Sequence, residues 1–247
     1  MISLKQTVVI SLAGGLAVLL YFAPKLPSEA KSEAKDDSDL NVSFEEAKKK
    51  ATAEQKGIFD RLEKGLLKAL ADNNERSWIA SADDFLKGAR FVQGDQKAVL
   101  YKGAIDGYNK ALELNPTNLS AKTNLGAAIV ESSSMLGNQP MKGISLLREV
   151  IQKDSNNIEA NLQLGLFSVT SRQFDKAIER FQRILRIDST HIDMYVYLGD
   201  TYLEMGEKQK AIGSYENYKT RVKDTLIVKD IDEYIKKLKQ QQNWLQR

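Results

Sequence analysis

The sequence predicts an all-α fold made of repeated helix pairs, and three observations support this fold class. Helix-forming residues dominate, and alternating runs of Val, Ile and Thr typical of strands are missing outside the N-terminus. The chain contains only four prolines. Identical or similar residues also recur 34 residues apart, and a fixed period of this length indicates an array of helical repeats.

Composition excludes several kinds of chemistry. The absence of cysteine excludes disulfides, thiolate zinc sites and cysteine nucleophiles, and the single histidine, His191, is typical of a packing or surface residue. With 36 basic and 33 acidic residues, the formal net charge of +3 lacks the basic excess of a dedicated nucleic-acid binder. Phosphate-binding and hydrolase motifs are also missing. We therefore expect no catalytic residues, no cofactor, no metal site and no nucleic-acid partner.

An uncharged stretch occupies residues 7–23, "TVVISLAGGLAVLLYFA". The stretch is slightly shorter than a bilayer core but at the long end for a signal peptide, which favours a signal anchor within residues 1–24. A cleaved signal peptide is the alternative, because Ser28 and Ala30 supply the small residues of a cleavage site. Both interpretations export the rest of the chain; an anchor that faces the cytosol is a third.

The next segment, residues 25–42, is rich in Ser, Lys, Glu and Asp and is predicted to be a flexible linker. Ser43 to Glu46 then form a capping box that is predicted to open an amphipathic helix, running to about Ala71 within residues 43–74. The apolar stripe of this helix consists of Phe59, Leu62, Leu66 and Leu70.

The repeat is clearest in two stretches. The sequence "LQLGLFSVTSRQFDKAIERFQRILRID" (162–188) and the sequence "VYLGDTYLEMGEKQKAIGSYENYKTRV" (196–222) share LG and KAI at an offset of 34 residues. An earlier LG, at residues 125–126, precedes the next by 39 residues, which predicts five inserted residues between two helices, in "SSMLGNQPM". A still earlier copy contains Ala104 and Tyr108, and Trp78, Ala82 and Phe85 fit its first helix if the inter-helix segment is about ten residues longer.

This pattern resembles the tetratricopeptide repeat (TPR) family. The resemblance implies a solenoid of helix-turn-helix units, here at residues 75–118, 119–157, 158–191 and 192–223. Asp224 is predicted to start a capping helix over residues 224–247. Small residues are expected where helices pack closely. They are Gly126, Gly143, Gly165, Ala177, Gly199 and Ala211.

The resemblance also implies a concave groove, lined by the first helix of each unit, that binds a protein or peptide. An apolar lining predicts an apolar or amphipathic partner. Alternatively the helix over residues 44–71 covers the groove, or the face is misassigned, since Asn161 and Ser168 replace bulky family residues. The predicted groove residues are Thr123, Ala127, Val130, Leu162, Leu166, Val169, Val196, Asp200 and Leu203.

Together these features predict a non-catalytic, membrane-tethered adapter in the bacterial inner membrane, with most of the chain in the periplasm. Cleavage would instead give a soluble periplasmic protein. The alternative function is an accessory TPR subunit of an envelope machine, such as one for cytochrome c maturation. An enzyme that uses dispersed carboxylates is a third hypothesis.

Overall fold

The computed structural model describes residues 38–137 and 139–245, and all regular secondary structure in these ranges is helical. None of the helices there is long and apolar enough to cross a membrane. The predicted anchor at residues 7–23 lies outside these ranges. The helices are α1 (Ser38–Lys49), α2 (Ala53–Asp72), α3 (Glu75–Gly88), α4 (Gly94–Leu114), α5 (Leu119–Leu136), α6 (Pro140–Lys153), α7 (Ile158–Thr170), α8 (Phe174–Ile187), α9 (Met194–Glu204), α10 (Lys208–Lys219) and α11 (Thr225–Leu245).

The described residues divide after Asp154 into two compact units. The N-terminal unit contains α1 to α6, in which α3 packs with α4 and α5 with α6. The C-terminal unit contains α7 to α11, in which α7 packs with α8 and α9 with α10. Each pair is a helix-turn-helix, so each unit holds two such pairs and additional helices at one end.

Small residues allow the two helices of a pair to approach closely. A Cβ atom at Gly199 would lie 2.6 Å from the ring of Tyr215, and one at Gly165 would lie 2.6 Å from the ring of Phe181. Both distances are well inside van der Waals contact. Both rings are fully buried, so they have no open space to move into.

In the α5–α6 pair, both helices carry glycine where they meet. A Cβ atom at Gly143 would lie 2.5 Å from the carbonyl oxygen of Gly126, and one at Gly126 would lie 2.9 Å from Leu147 Cγ. Ala177 and Ala211, on the second helices of the C-terminal pairs, are fully buried. The small residues therefore sit where backbones or large side chains are nearest.

The single helix predicted from Ser43 to about Ala71 is wrong. Ser43 lies inside α1, and residues 50–52 interrupt the helix. Thr52 forms the capping box that starts α2: its hydroxyl accepts from Gln55 N at 3.3 Å, and Gln55 Oε1 accepts from Thr52 N at 3.1 Å. The predicted linker over residues 25–42 also extends too far, because residues 38–42 belong to α1.

A long-range aromatic contact explains the break. The rings of Phe44 and Phe59 have centroids 5.6 Å apart, and Phe44 is also 5.6 Å from Phe85. In one straight helix, the fifteen-residue separation of Phe44 and Phe59 would place them roughly 22 Å apart along the axis. Folding back at residues 50–52 instead buries both rings in the core of the N-terminal unit.

The extra residues of the first two pairs mainly lengthen helices, which corrects the prediction of longer inter-helix segments. The helix α4 has 21 residues and α5 has 18, against 13 in α7 and 14 in α8. The added turns lie side by side, since the Tyr101 hydroxyl donates to Glu131 Oε2 at 3.0 Å. They also hold α1, because Gln96 Nε2 donates to the Ala47 carbonyl at 3.0 Å.

The helix α11 covers the last pair. Asp224 Oδ1 accepts from Leu226 N at 2.8 Å and so caps the start of the helix. Ile231, Ile235 and Leu238 are buried in one cluster with Ala211, Ile212, Tyr215 and Tyr218 of α10.

We expect Gly199→Ala to destabilise the fold by about 1–3 kcal/mol, because the new methyl group must displace a buried ring. Gly213→Ala is the matched control, since nothing lies within 4 Å of a Cβ atom there. Alanine at that position should be neutral or stabilise by up to about 1 kcal/mol through its helix propensity. Urea unfolding monitored by circular dichroism measures both, and equal effects would refute the close-packing role.

Candidate partner-binding surface

The predicted groove residues of the N-terminal unit are mostly enclosed. Thr123 and Ala127 are only 2% and 4% exposed, and the Thr123 hydroxyl donates to the Leu119 carbonyl at 2.7 Å. Val130 is half-buried, and its Cγ2 lies 2.9 Å from where a Cβ atom of Gly143 would stand. Because α5 packs between α4 and α6, Thr123 and Ala127 are core residues, which corrects their assignment to a groove.

In the C-terminal unit the predicted apolar residues remain partly open. Leu162, Leu166 and Val169 are half-buried and rest on a cluster that includes Phe181 and Leu198. They are spaced four and three residues apart, so they follow one face of α7.

Val196 and Leu203 repeat this pattern on α9. Both are half-buried and pack against the cluster that contains Tyr215 and Ile231. They lie 34 residues after Leu162 and Val169 in the sequence, so both helices present equivalent positions. The two helices therefore carry matching apolar stripes, named here the α7–α9 stripe: Leu162, Leu166, Val169, Val196 and Leu203.

The unusual polar residues of α7 do not change its orientation. The buried Asn161 side chain donates to the carbonyls of Asn157 and Ser155 at 2.8 and 3.0 Å and accepts from Arg180 Nη1 at 3.0 Å. The Ser168 hydroxyl donates to the Leu164 carbonyl at 2.7 Å. Their hydrogen bonds are made within the unit, so both polar side chains are accommodated at positions where the family usually carries bulky residues.

Acidic groups lie at the start of both helices. Burial raises the pKa of the Tyr197 phenol, and the nearby carboxylates of Asp193, Asp200 and Glu159 raise it further. Asp193 and Glu159 are exposed, and Glu159 Oε1 accepts from Gln163 Nε2 at 2.9 Å. The surface is therefore apolar along its centre and negative at the start of both helices.

No protein-family model matches the sequence. Among solved structures, the chain is similar to PilW, described as a widely conserved type IV pilus biogenesis factor, with a TM-score of 0.55 and 15% identity over 81% of this chain and 93% of PilW. MamA from Desulfovibrio magneticus RS-1, from residue 41 to its end, gives a TM-score of 0.54 and 16% identity over 76% of this chain and 97% of MamA.

A sequence relative supports the same repeat. Anaphase-promoting complex subunit 3 of Dictyostelium discoideum is 27% identical over 105 residues, which is 42% of this chain and 10% of that protein. The chain thus spans about a tenth of that relative. PilW and MamA are TPR proteins, and their likeness agrees with the 34-residue helix pairs. The described helices have the TPR fold. The predicted fold of the repeats is therefore confirmed.

The first and last TPR units share a polar pair, a buried tyrosine and an aspartate, that sequence reasoning missed. The Tyr108 hydroxyl donates to Asp83 Oδ1 at 2.6 Å, and the Tyr215 hydroxyl donates to Asp200 Oδ1 at 2.5 Å. Each aspartate follows the small residue of its first helix, and each tyrosine stands at the aromatic position of its second helix. Aligning the first unit with the last would have revealed both pairs.

Asp200, predicted to line the groove, is instead largely enclosed at 8% exposure. Burial raises the pKa of its carboxyl to about 6, Glu204 adds to the rise, and the hydrogen bond from Tyr215 opposes it. Asp200 therefore orients Tyr215 and holds an ionised group at neutral pH with little water around it.

The raised pKa of Asp200 predicts that Asp200→Asn increases the stability of the fold, by an amount that depends on pH. The folded state favours the protonated carboxyl, so this stabilisation is present below the usual pKa of 3.8 and is lost as pH rises through about 6. At pH 7.5 the asparagine variant should be more stable by up to about 3 kcal/mol, since each pKa unit corresponds to about 1.4 kcal/mol. Near pH 3.5 the two proteins should unfold alike in a thermal melt.

Asp188 provides a control in which the pKa shift has the opposite sign. Hydrogen bonds from the Thr190 hydroxyl and backbone N–H lower the pKa of its carboxyl. Its stabilising contribution is present at neutral pH and is lost on acidification. Asp188→Asn should therefore weaken the protein at pH 7.5 and have less effect at pH 3.5; the same trend in both variants would contradict the assignment.

Proposed function

We propose that this protein is a non-catalytic adapter that holds a protein partner on the α7–α9 stripe. The observation that carries the proposal is the row of half-buried leucine and valine side chains on two equivalent helices of one unit. Each side chain is anchored in the core and keeps part of its surface in water. Covering that surface with an apolar segment would release the water without unfolding the unit.

The chemistry of the partner follows from the same surface. Apolar residues spaced as on α7 and α9 suit an amphipathic helix or an extended apolar segment. Glu159 and Asp193 at the start of the two helices favour basic residues beside the apolar face of such a segment. We therefore infer a partner segment that is amphipathic and flanked by Lys or Arg.

A membrane tether is the second part of the proposal. It rests on the uncharged residues 7–23, which favour an inner-membrane anchor with the repeats in the periplasm. The narrower alternative, an accessory TPR subunit of an envelope machine such as cytochrome c maturation, would use the same surface for a single client. PilW, a pilus biogenesis factor, has this fold, and its similarity to this chain concerns the fold alone.

Site-specific photocrosslinking in native membranes tests the partner surface. With p-benzoylphenylalanine at Leu166, and in a second variant at Leu203, we expect one defined crosslinked species. The matched control places p-benzoylphenylalanine at Glu179, which is exposed on α8. Thermal melts identify any variant that has lost its fold.

A charge-reversal variant provides a second test of the surface. Glu159→Lys combined with Asp193→Lys should reduce the Leu166 adduct several-fold, because it reverses the charge beside the stripe. Equal crosslinking at Leu166, Leu203 and Glu179, or an adduct that survives the charge reversal unchanged, would refute the proposed surface.

A further inference from the structure

An exposed phenylalanine stands in the turn between α3 and α4. Phe91 is 68% exposed, whereas its neighbour Val92 is 1% exposed and belongs to the core of the N-terminal unit. The turn is fixed by backbone hydrogen bonds, from Phe91 N to the Gly88 carbonyl at 3.0 Å and from Arg90 N to the Lys87 carbonyl at 3.2 Å. Val92 thus anchors the turn while Phe91 projects from it.

A second turn lies beside the first. Residues 50–52 join α1 to α2, and Ala47 and Ala51 share the core cluster that contains Val92. Gln96, in the first turn of α4, donates its side-chain N–H to the Ala47 carbonyl at 3.0 Å. The end of α1 and the start of α4 are therefore held together at one end of the unit.

Basic side chains dominate these two turns. In residues 48–56 and 87–97, Lys48 is paired with Asp60 at 3.0 Å and Glu63 at 2.6 Å. Six further basic residues and only two acidic residues, Glu54 and Asp95, leave an excess of four positive charges there. This surface is named the turn patch: Phe91 with Lys49, Lys50, Lys56, Lys87, Arg90 and Lys97.

We propose that the turn patch rests on an anionic phospholipid surface. Lys and Arg side chains are attracted to anionic headgroups, and an exposed aromatic ring suits the boundary between headgroups and acyl chains. Phe91 is the one large apolar side chain exposed in the two turns, and a single ring is a small apolar area for a protein interface, which favours a lipid surface over an acidic protein segment.

The length of the preceding chain permits this contact, which rests on the proposed tether. Fourteen residues, 24–37, separate the apolar stretch from α1, and when fully extended they span at most about 50 Å. The twelve residues of α1 add about 18 Å between Ser38 and the turn patch. The patch therefore lies within reach of the membrane that would hold residues 7–23.

A tryptophan reporter tests the contact in the full chain. Phe91→Trp protein is reconstituted into vesicles of phosphatidylcholine and phosphatidylglycerol, with or without bromine on the acyl chains. We expect bromination to quench about half of the added emission, measured against the unsubstituted chain. Leu114→Trp is the matched control: Leu114 is 49% exposed and ends α4, about 30 Å from its start, and should stay unquenched.

Charge variants and salt separate the possible outcomes. Lys49→Glu combined with Arg90→Glu should reduce the quenching of Phe91→Trp at least about twofold, as should raised ionic strength. If the full chain does not float with any vesicle, both the tether and the lipid contact fail. If it floats but Phe91→Trp is unquenched, only the lipid contact is overturned. A Phe91→Trp signal that responds to polyglutamate and not to lipid would assign the patch to an acidic protein segment instead.

Discussion

The close contact between a small residue on one helix and a large side chain on the next determines the rest of this structure. Gly199 against Tyr215 and Gly165 against Phe181 leave no room for a Cβ atom. Glycine within a helix costs about 1 kcal/mol, whereas complete burial of a large apolar side chain contributes about 1.5–3 kcal/mol. These two pairs thus offset their glycine by enclosing a ring, and this fixes how closely their two helices approach.

That approach also decides which surfaces remain open. In the C-terminal unit, the inner faces of α7 and α8 enclose Phe181 and Ile184, and α11 encloses the far side of α10. What remains is the outer part of the first helices, where Leu162 and Leu166 are half-buried. In the N-terminal unit, α5 packs between α4 and α6, and its Thr123 and Ala127 are buried. Partner binding is therefore expected where the pairs are short.

Sequence periodicity predicts contacts that repeat and misses contacts that occur once. The 34-residue spacing predicts the helix pairs and the positions of Gly165 and Gly199, because every pair obeys the same packing geometry. The break after α1 depends on Phe44 meeting Phe59 and Phe85, which no local pattern encodes. Burial of Thr123 likewise depends on the packing of α5 between α4 and α6, which an alignment of repeat positions does not represent.

Where the second helix of a pair carries a buried aromatic residue, that residue sets the chemistry of the neighbouring first helix. A buried tyrosine hydroxyl requires an acceptor, so Tyr108 and Tyr215 are matched by Asp83 and Asp200. Phe181 has no hydroxyl, and the equivalent position on α7 is Leu166. A half-exposed leucine is tolerated there because the phenylalanine ring beneath it has no group that needs a hydrogen-bond partner. The apolar stripe proposed to hold a partner is thus a consequence of which aromatic residue fills the core of that pair.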